Sequence, residues 1–249
     1  MTSPVRPVRD LLVIDGSPRL VVACDSVGGI GPRPADPVRV PAELVAHFAA
    51  RVPLLEVLCA GARPVALINT LCHDLAGAAP FIDMFREVAA NVGIPPEAVT
   101  GSTEENVPSP ATGVGVTAIG TVTGELLSGG GRPGDLVVCA GWPRSAPQDE
   151  IFIGHPDIVP LPTVQDLVGS GLVHDALPVG SRGIGYETGQ LASSAGLDLS
   201  WLTHPLPLDA SDGPASCVLI ACDPNSAADL RGLVPGHVPW HPVAELTAR

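Results

Sequence analysis

The sequence contains no lysine: all 13 of its basic residues are arginine. That absence removes the P-loop lysine, the strand lysine of protein-kinase ATP sites and any Schiff-base lysine. A chain of this kind that handles ATP must have the phosphate charge neutralised by metal ions, and such ions need carboxylates. Aromatics are scarce at 3%, so Trp142, Trp201 and Trp240 stand out, as ring-stacking groups or as core packing. Clusters of arginine are missing and the formal net charge is −13, which argues against a nucleic-acid partner. No apolar run is long enough to span a bilayer, so no membrane partner is expected. The stretch Met1 to Asp10 lacks the apolar core of a secretory signal, and the expected compartment is cytoplasmic. Six cysteines lie singly in apolar runs without CxxC spacing, which favours buried thiols over zinc or disulfides.

What is present is a hydrophobic fraction of 45% in 249 residues, enough for a globular protein of one large or two modest domains, with two favoured. Leu11 to Ile14 and Leu20 to Cys24 read as a hairpin around Asp15-Gly16-Ser17-Pro18. A helix is expected over Pro41 to Ala60, ending at Gly61, with a kink or a break at Pro53 because an interior proline costs ~3 kcal/mol. Pro64 to Leu71 reads as a buried strand, Phe81 to Val92 as an amphipathic helix and Thr112 to Val122 as a strand. Gly129-Gly130-Gly131 is the best candidate boundary, giving domains over 1–128 and 132–249. The second is read as a helix near Val164 to Val168, a strand over Leu172 to Leu177, a helix from Tyr186 to Ser194, a strand at Cys217 to Ala221 and a short helix near Ala227.

Three polar segments interrupt this apolar pattern. In Cys24-Asp25-Ser26-Val27-Gly28-Gly29-Ile30-Gly31 a carboxylate at a strand end precedes a glycine loop, which can hold a cation while backbone approaches a phosphate. Glu56 breaks the apolar run Leu54 to Ala60 and must find a partner, a metal or solvent. Thr100-Gly101-Ser102-Thr103-Glu104-Glu105-Asn106 reads as a polar acidic loop. Pro178 to Gly185 adds Arg182 between glycines, either a phosphate or carbonyl contact or a surface turn. His155 and Asp157 read more simply as a Pro-bounded loop than as substrate contacts.

Taken in order and spacing, these segments resemble the ATP-binding half of the superfamily of aminoimidazole ribonucleotide (AIR) synthetase, thiamine-monophosphate kinase and selenophosphate synthetase. The resemblance implies an α/β (α+β), two-domain AIR-synthase-like architecture: an N-terminal mixed sheet that dimerises, and a smaller C-terminal α/β domain. It implies ATP and Mg²⁺ as cofactors, with Asp10, Asp25, Glu56 and Glu104 as metal ligands converging from distant parts of the chain. Gly28, Gly29, Gly31, Gly101, Thr103 and Asn106 are the implied nucleotide contacts, and Asp25, Glu104 and Arg182 the implied catalytic groups. The third loop departs from the superfamily pattern, because Ser102 and Thr103 stand where relatives have two glycines. Glu104 or Glu105 then replaces the usual carboxylate; Glu104 is favoured, with Glu105 facing solvent. Within the superfamily the segments 24–31, 100–106 and 174–184 are most similar to α-ribazole kinases, which implies a homodimeric kinase acting on a small nucleoside. The alternatives are another ATP-dependent synthetase or kinase of the superfamily, or a nucleotide-binding factor without turnover.

Overall fold

A computed structural model describes residues 4–249, so the first three residues of the N-terminal stretch read above lie outside it. The chain divides into two compact units, one of residues 1–57 with 63–123 and one of 58–62 with 124–249; the second is slightly the larger. None of the described helices is long and apolar enough to cross a membrane.

The first unit is a six-stranded sheet. Its strands are β1 (Val5–Val8), β2 (Leu11–Ile14), β3 (Arg19–Gly28), β6 (Arg63–Leu71), β7 (Val99–Thr103) and β8 (Gly113–Val122), in the spatial order β1-β2-β3-β8-β6-β7. Only β6 and β7 run parallel, joined through helix α2 (Leu75–Ala90). A short parallel pair, β4 (Ile30–Gly31) and β5 (Val38–Arg39), closes the glycine loop after β3, and helix α1 (Ala42–Cys59) follows. Alternation along β8 explains the layering: Val114, Val116, Ala118 and Val122 are buried, while residues 113 to 121 on the other phase are half-buried. The covered face continues through Val21, Ala23 and Leu67, and Phe81 and Phe85 of α2 are fully buried. The opposite face is open and carries an apolar row, Leu12, Val22, Ile119 and Ala66, paired across four strands.

The expected hairpin forms as β2 and β3, with β1 added as an edge strand. The expected break at Pro53 is absent, since α1 is one 18-residue helix running through it. Arg51, Leu54 and Leu55 around that proline are all buried, so packing outweighs the lost hydrogen bond. Helix α2 starts at Leu75 rather than Phe81, because Asp74 caps it by accepting from Gly77 N at 2.7 Å. The segment Thr100 to Thr103, expected in a loop, is strand β7.

The second unit is a five-stranded antiparallel sheet. It contains β9 (Leu136–Ala140), β10 (Val173–Pro178), β11 (Asp198–Trp201), β12 (Val218–Cys222) and β13 (Trp240–Thr247), ordered β10-β12-β9-β13-β11. Helices α3 (Leu161–Gly169), α4 (Gly183–Ser194) and α5 (Ala227–Leu233) complete it. Its core joins Val137, Cys139, Leu191, Leu219 and Leu246, with Trp142 packed against it, whereas Trp201 stays 44% exposed.

One buried carboxylate ties the glycine loop of the first unit to the sheet. Asp36 accepts from Arg33 N, Thr112 N and Thr112 Oγ1, each at 2.7 Å. Burial pushes this carboxyl up, but the Thr112 and Arg33 donors and the Arg39 charge outweigh that and hold it below the ordinary carboxylate range. A folded-state pKa below the unfolded one gives stability that is complete above the unfolded value and fades as pH falls toward the folded one. We therefore expect the loss of melting temperature between about pH 5 and pH 2 to be shallower in Asp36→Asn than in the wild type, and the variant to be less stable at pH 7. Parallel thermal melts across that range check it.

Candidate functional site

Four strand ends of the first unit enclose a cleft of about 510 Å³: residues 26–28 of β3, 70–72 at the end of β6, 102–104 at the end of β7 and 113–115 at the start of β8. This lies within the ~300–1,000 Å³ typical of small-molecule sites. The strand register places Ser26, Gly115, Thr70 and Ser102 in one row across β3, β8, β6 and β7. Glycine is what opens the row. A Cβ on Gly115 would lie 2.6 Å from Thr70 Oγ1, and one on Gly113 would lie 2.9 Å from Cys72 Sγ. Gly29 (φ +73°) turns the chain away after β3, and at Gly31 a Cβ would meet Thr112 Oγ1 at 2.3 Å.

Asp25 neighbours the cleft but belongs to the covered face, one residue out of phase with Ser26. Burial pushes its carboxyl above the ordinary range, opposed by a hydrogen bond from the Ser26 backbone. The β2–β3 register brings the Asp10 turn alongside the Cys24–Asp25 stretch, with Asp10 exposed. Glu56 sits in the last turns of α1, half-buried. Glu104 follows β7, and its Oε1 turns back to accept from Asn106 N at 2.6 Å and Val107 N at 3.1 Å. These donors hold its carboxyl below the usual range.

The expected convergence of Asp10, Asp25, Glu56 and Glu104 on a metal is thus not assembled: among the described residues no three His, Cys, Asp or Glu side chains gather as a metal-ligand group. The physical reason is competition. Glu104 is occupied by its own turn, and Asp25 and Glu56 belong to different elements, β3 and α1. Glu105 is exposed, as expected, and it also latches two loops. Its Oε1 accepts from Leu75 N and from Thr103 Oγ1, both at 2.8 Å, pinning the turn after β7 to the first turn of α2. Of the implied nucleotide contacts, Gly28 and Thr103 line the cleft, while Gly29, Gly31, Gly101 and Asn106 lie beside it in sequence. Beyond them, Arg33 donates through Nε to His73 Nδ1 at 3.2 Å, and His73 is held below its ordinary pKa by burial and by that arginine, against Asp36 and Asp74.

Arg182 belongs to the second unit, where it precedes α4 and its guanidinium lies 3.5 Å from the Tyr186 ring centroid. Asp157 is a structural anchor: it receives both Nε and Nη2 of Arg144, whose Nη1 reaches Asp149 at 2.9 Å. His155 Nδ1 accepts from Asp157 N, so this pair closes a loop. Asp212, buried beneath it and pushed up by that burial, accepts from the backbone of Arg144, Ser216 and Cys217.

The two sheets together define the mixed α+β, PurM-like fold of AIR-synthase-like proteins, as the sequence resemblance implies. Thiamine monophosphate kinase (ThiL) from Aquifex aeolicus superposes with a TM-score of 0.70 over 96% of this chain and 89% of that one, at 14% identity. AaThiL complexed with AMPPCP and TMP gives 0.67 at 14% identity, over 96% and 85%. T. maritima PurL complexed with ATP gives 0.64 at 20% identity, covering all of this chain but 42% of PurL. No protein-family profile and no curated sequence matches the chain.

The latch yields a stability prediction. Glu105→Ala leaves Leu75 N–H without its acceptor and should lower unfolding free energy by about 1 kcal/mol. Glu105→Gln keeps an amide oxygen there and should lose less; denaturant titration of the two variants decides it.

Proposed function

We propose that the chain is an ATP-dependent small-molecule kinase, acting as a cytoplasmic homodimer, that moves the γ-phosphoryl group of Mg·ATP to the 5′-hydroxyl of α-ribazole. The acceptor oxygen bonds to phosphorus, ADP leaves, and the hydroxyl proton is released. The observation that carries the reading is the PurM-like fold, shared with proteins whose solved structures hold ATP or AMPPCP with TMP, together with the open cleft at this chain's strand ends. Phosphoryl transfer needs positioning and charge neutralisation more than covalent chemistry, so the absence of lysine is no obstacle. Magnesium enters as part of the substrate. An ion already on the phosphates takes only one or two protein carboxylates. Asp25, half-buried in β3 beside the cleft, is the carboxylate we assign to it. The α-ribazole acceptor rests on the sequence likeness of segments 24–31, 100–106 and 174–184. Pairing of two copies is supported by the apolar row on the open sheet face, where Leu12 is 50% exposed.

A second reading, a nucleotide-binding factor without turnover, draws on Glu104, Glu105 and Asp74 all capping backbone N–H groups. Steady-state ADP release with Mg·ATP and α-ribazole separates the two. The kinase reading expects release that depends on α-ribazole and falls about 10²-fold in Asp25→Asn at an unchanged melting temperature. Binding of Mg·ATP with no ADP release would leave the factor.

A further inference from the structure

The second sheet ends in an unpaired edge. Strand β11 pairs only with β13, and the order β10-β12-β9-β13-β11 leaves its other side without a strand. Antiparallel pairing alternates, so the phase of that ladder decides which backbone groups are spare. Leu202 N donates to Val243 O at 2.9 Å, one step beyond the Trp201↔Ala244 pair. Positions 198, 200 and 202 therefore bond to β13, and the N–H and C=O of Leu199 and Trp201 point outward. Among the described residues neither of these N–H groups has an acceptor. The side chains at 199 and 201 also share a face. Leu199 packs on the core of the unit, and Trp201, left exposed, extends that apolar surface beyond the edge; Leu202 next to it is exposed too. Sheet edges are commonly blunted by Lys, Pro or a bulge. Strand β11 has none of these, and its one charge, Asp198, is met by Arg249 Nε at 3.6 Å.

We infer that this edge is a strand-addition site for β11 of a second copy, joined antiparallel about a two-fold axis at Ser200, so that two five-stranded sheets become one. The register follows from the spare groups. With the axis at Ser200, Leu199 exchanges both backbone hydrogen bonds with Trp201 of the second copy, and Trp201 does the same with Leu199 of that copy. An axis at Leu199 or at Trp201 would instead pair one spare residue with a position outside the strand. The contact is self-complementary, as a two-fold requires. It gathers the Leu199 and Trp201 side chains of both copies on the core face, a favourable cross-strand set. It sets Asp198 opposite Leu202 of the second copy, so no like charges meet. A ladder of this length runs about 14 Å and covers less than the ~800 Å² per partner of a stable interface. The association is therefore weak and depends on concentration. It is separate from pairing through the open face of the first sheet and does not rest on the kinase reading.

Sedimentation equilibrium of the wild-type chain from about 1 µM to about 300 µM tests it, with an average mass expected to rise toward twice its dilute value. Trp201→Lys, at an exposed position and checked by melting temperature, should weaken the association at least about tenfold, while Trp201→Phe keeps most of it. Amide hydrogen exchange supplies a readout that a non-specific apolar contact would not move. On raising the concentration, exchange at Leu199 and Trp201 should slow about fivefold or more, and exchange at Ser200 and Leu202, already bonded to β13, should change little. A mass that stays constant over the range overturns the inference, as does a concentration dependence that Trp201→Lys leaves intact, which would belong to the first sheet. Slowing spread equally over residues 198–202 also overturns it. So does slow exchange of Leu199 and Trp201 in the dilute protein, because the edge is then covered without a second copy.

Discussion

The first unit depends on one ladder, the ten-residue antiparallel pairing of β3 with β8 from Arg19↔Val122 to Gly28↔Gly113. Strand alternation along it decides which side chains see the covered face and which the open one. Asp25 and Ser26 are consecutive, yet the ladder sends the carboxylate toward the core side and the hydroxyl into the cleft. A one-residue slip would exchange them and turn Cys24 and Ser26 to the covered face in place of Ala23 and Asp25. Register is therefore the physical basis of the site's chemistry as well as of the fold.

Around that ladder the acidic groups serve local order. Asp74 and Glu105 both satisfy the N-terminus of α2, Glu104 satisfies its own turn, and Asp36 satisfies Thr112 and Arg33. Backbone donors at a helix start or tight turn are strong carboxylate partners, so these groups are stabilised where they are without a cation. In a chain of net charge −13 without lysine, backbone N–H groups and a few arginines take the place of ammonium partners. Arg144 does this in the second unit, where one guanidinium holds Asp149 and Asp157 together.

Much of the fold is legible in the sequence because it rests on local signals. The Asp15 to Pro18 turn, the alternation of β8 and the apolar runs of β6, β9 and β12 announce their elements directly. Strands β1 and β13 are obscured by Pro7 and Pro242, and β7 by its Thr-Gly-Ser-Thr composition, since their strand character comes from pairing partners rather than from residue preference. Asp74 had a readable signal, a capping residue ahead of an apolar helix. Asp36 and the Glu105 latch had none, because Asp36 meets Thr112 76 residues away and Glu105 meets Leu75 30 residues away. The glycine loop is legible as flexible chemistry, but the hydroxyl row exists only once four separate strands are aligned.

The Asp36 tether has a consequence for motion. Segment 29–41 is held to the rest of the unit by a few bonds, Gly29 N to Thr112 O, Ala35 N to Pro110 O, the Asp36 carboxylate to Thr112 and Arg33 Nε to His73, and none of these is a ladder bond of the main sheet. Such a segment is a cooperative opening unit of its own: its amides exchange with solvent when the tether releases, while those of β3 and β8 wait for the ladder to part. The strap after β3 and the strand before it therefore share a chain but not a lifetime.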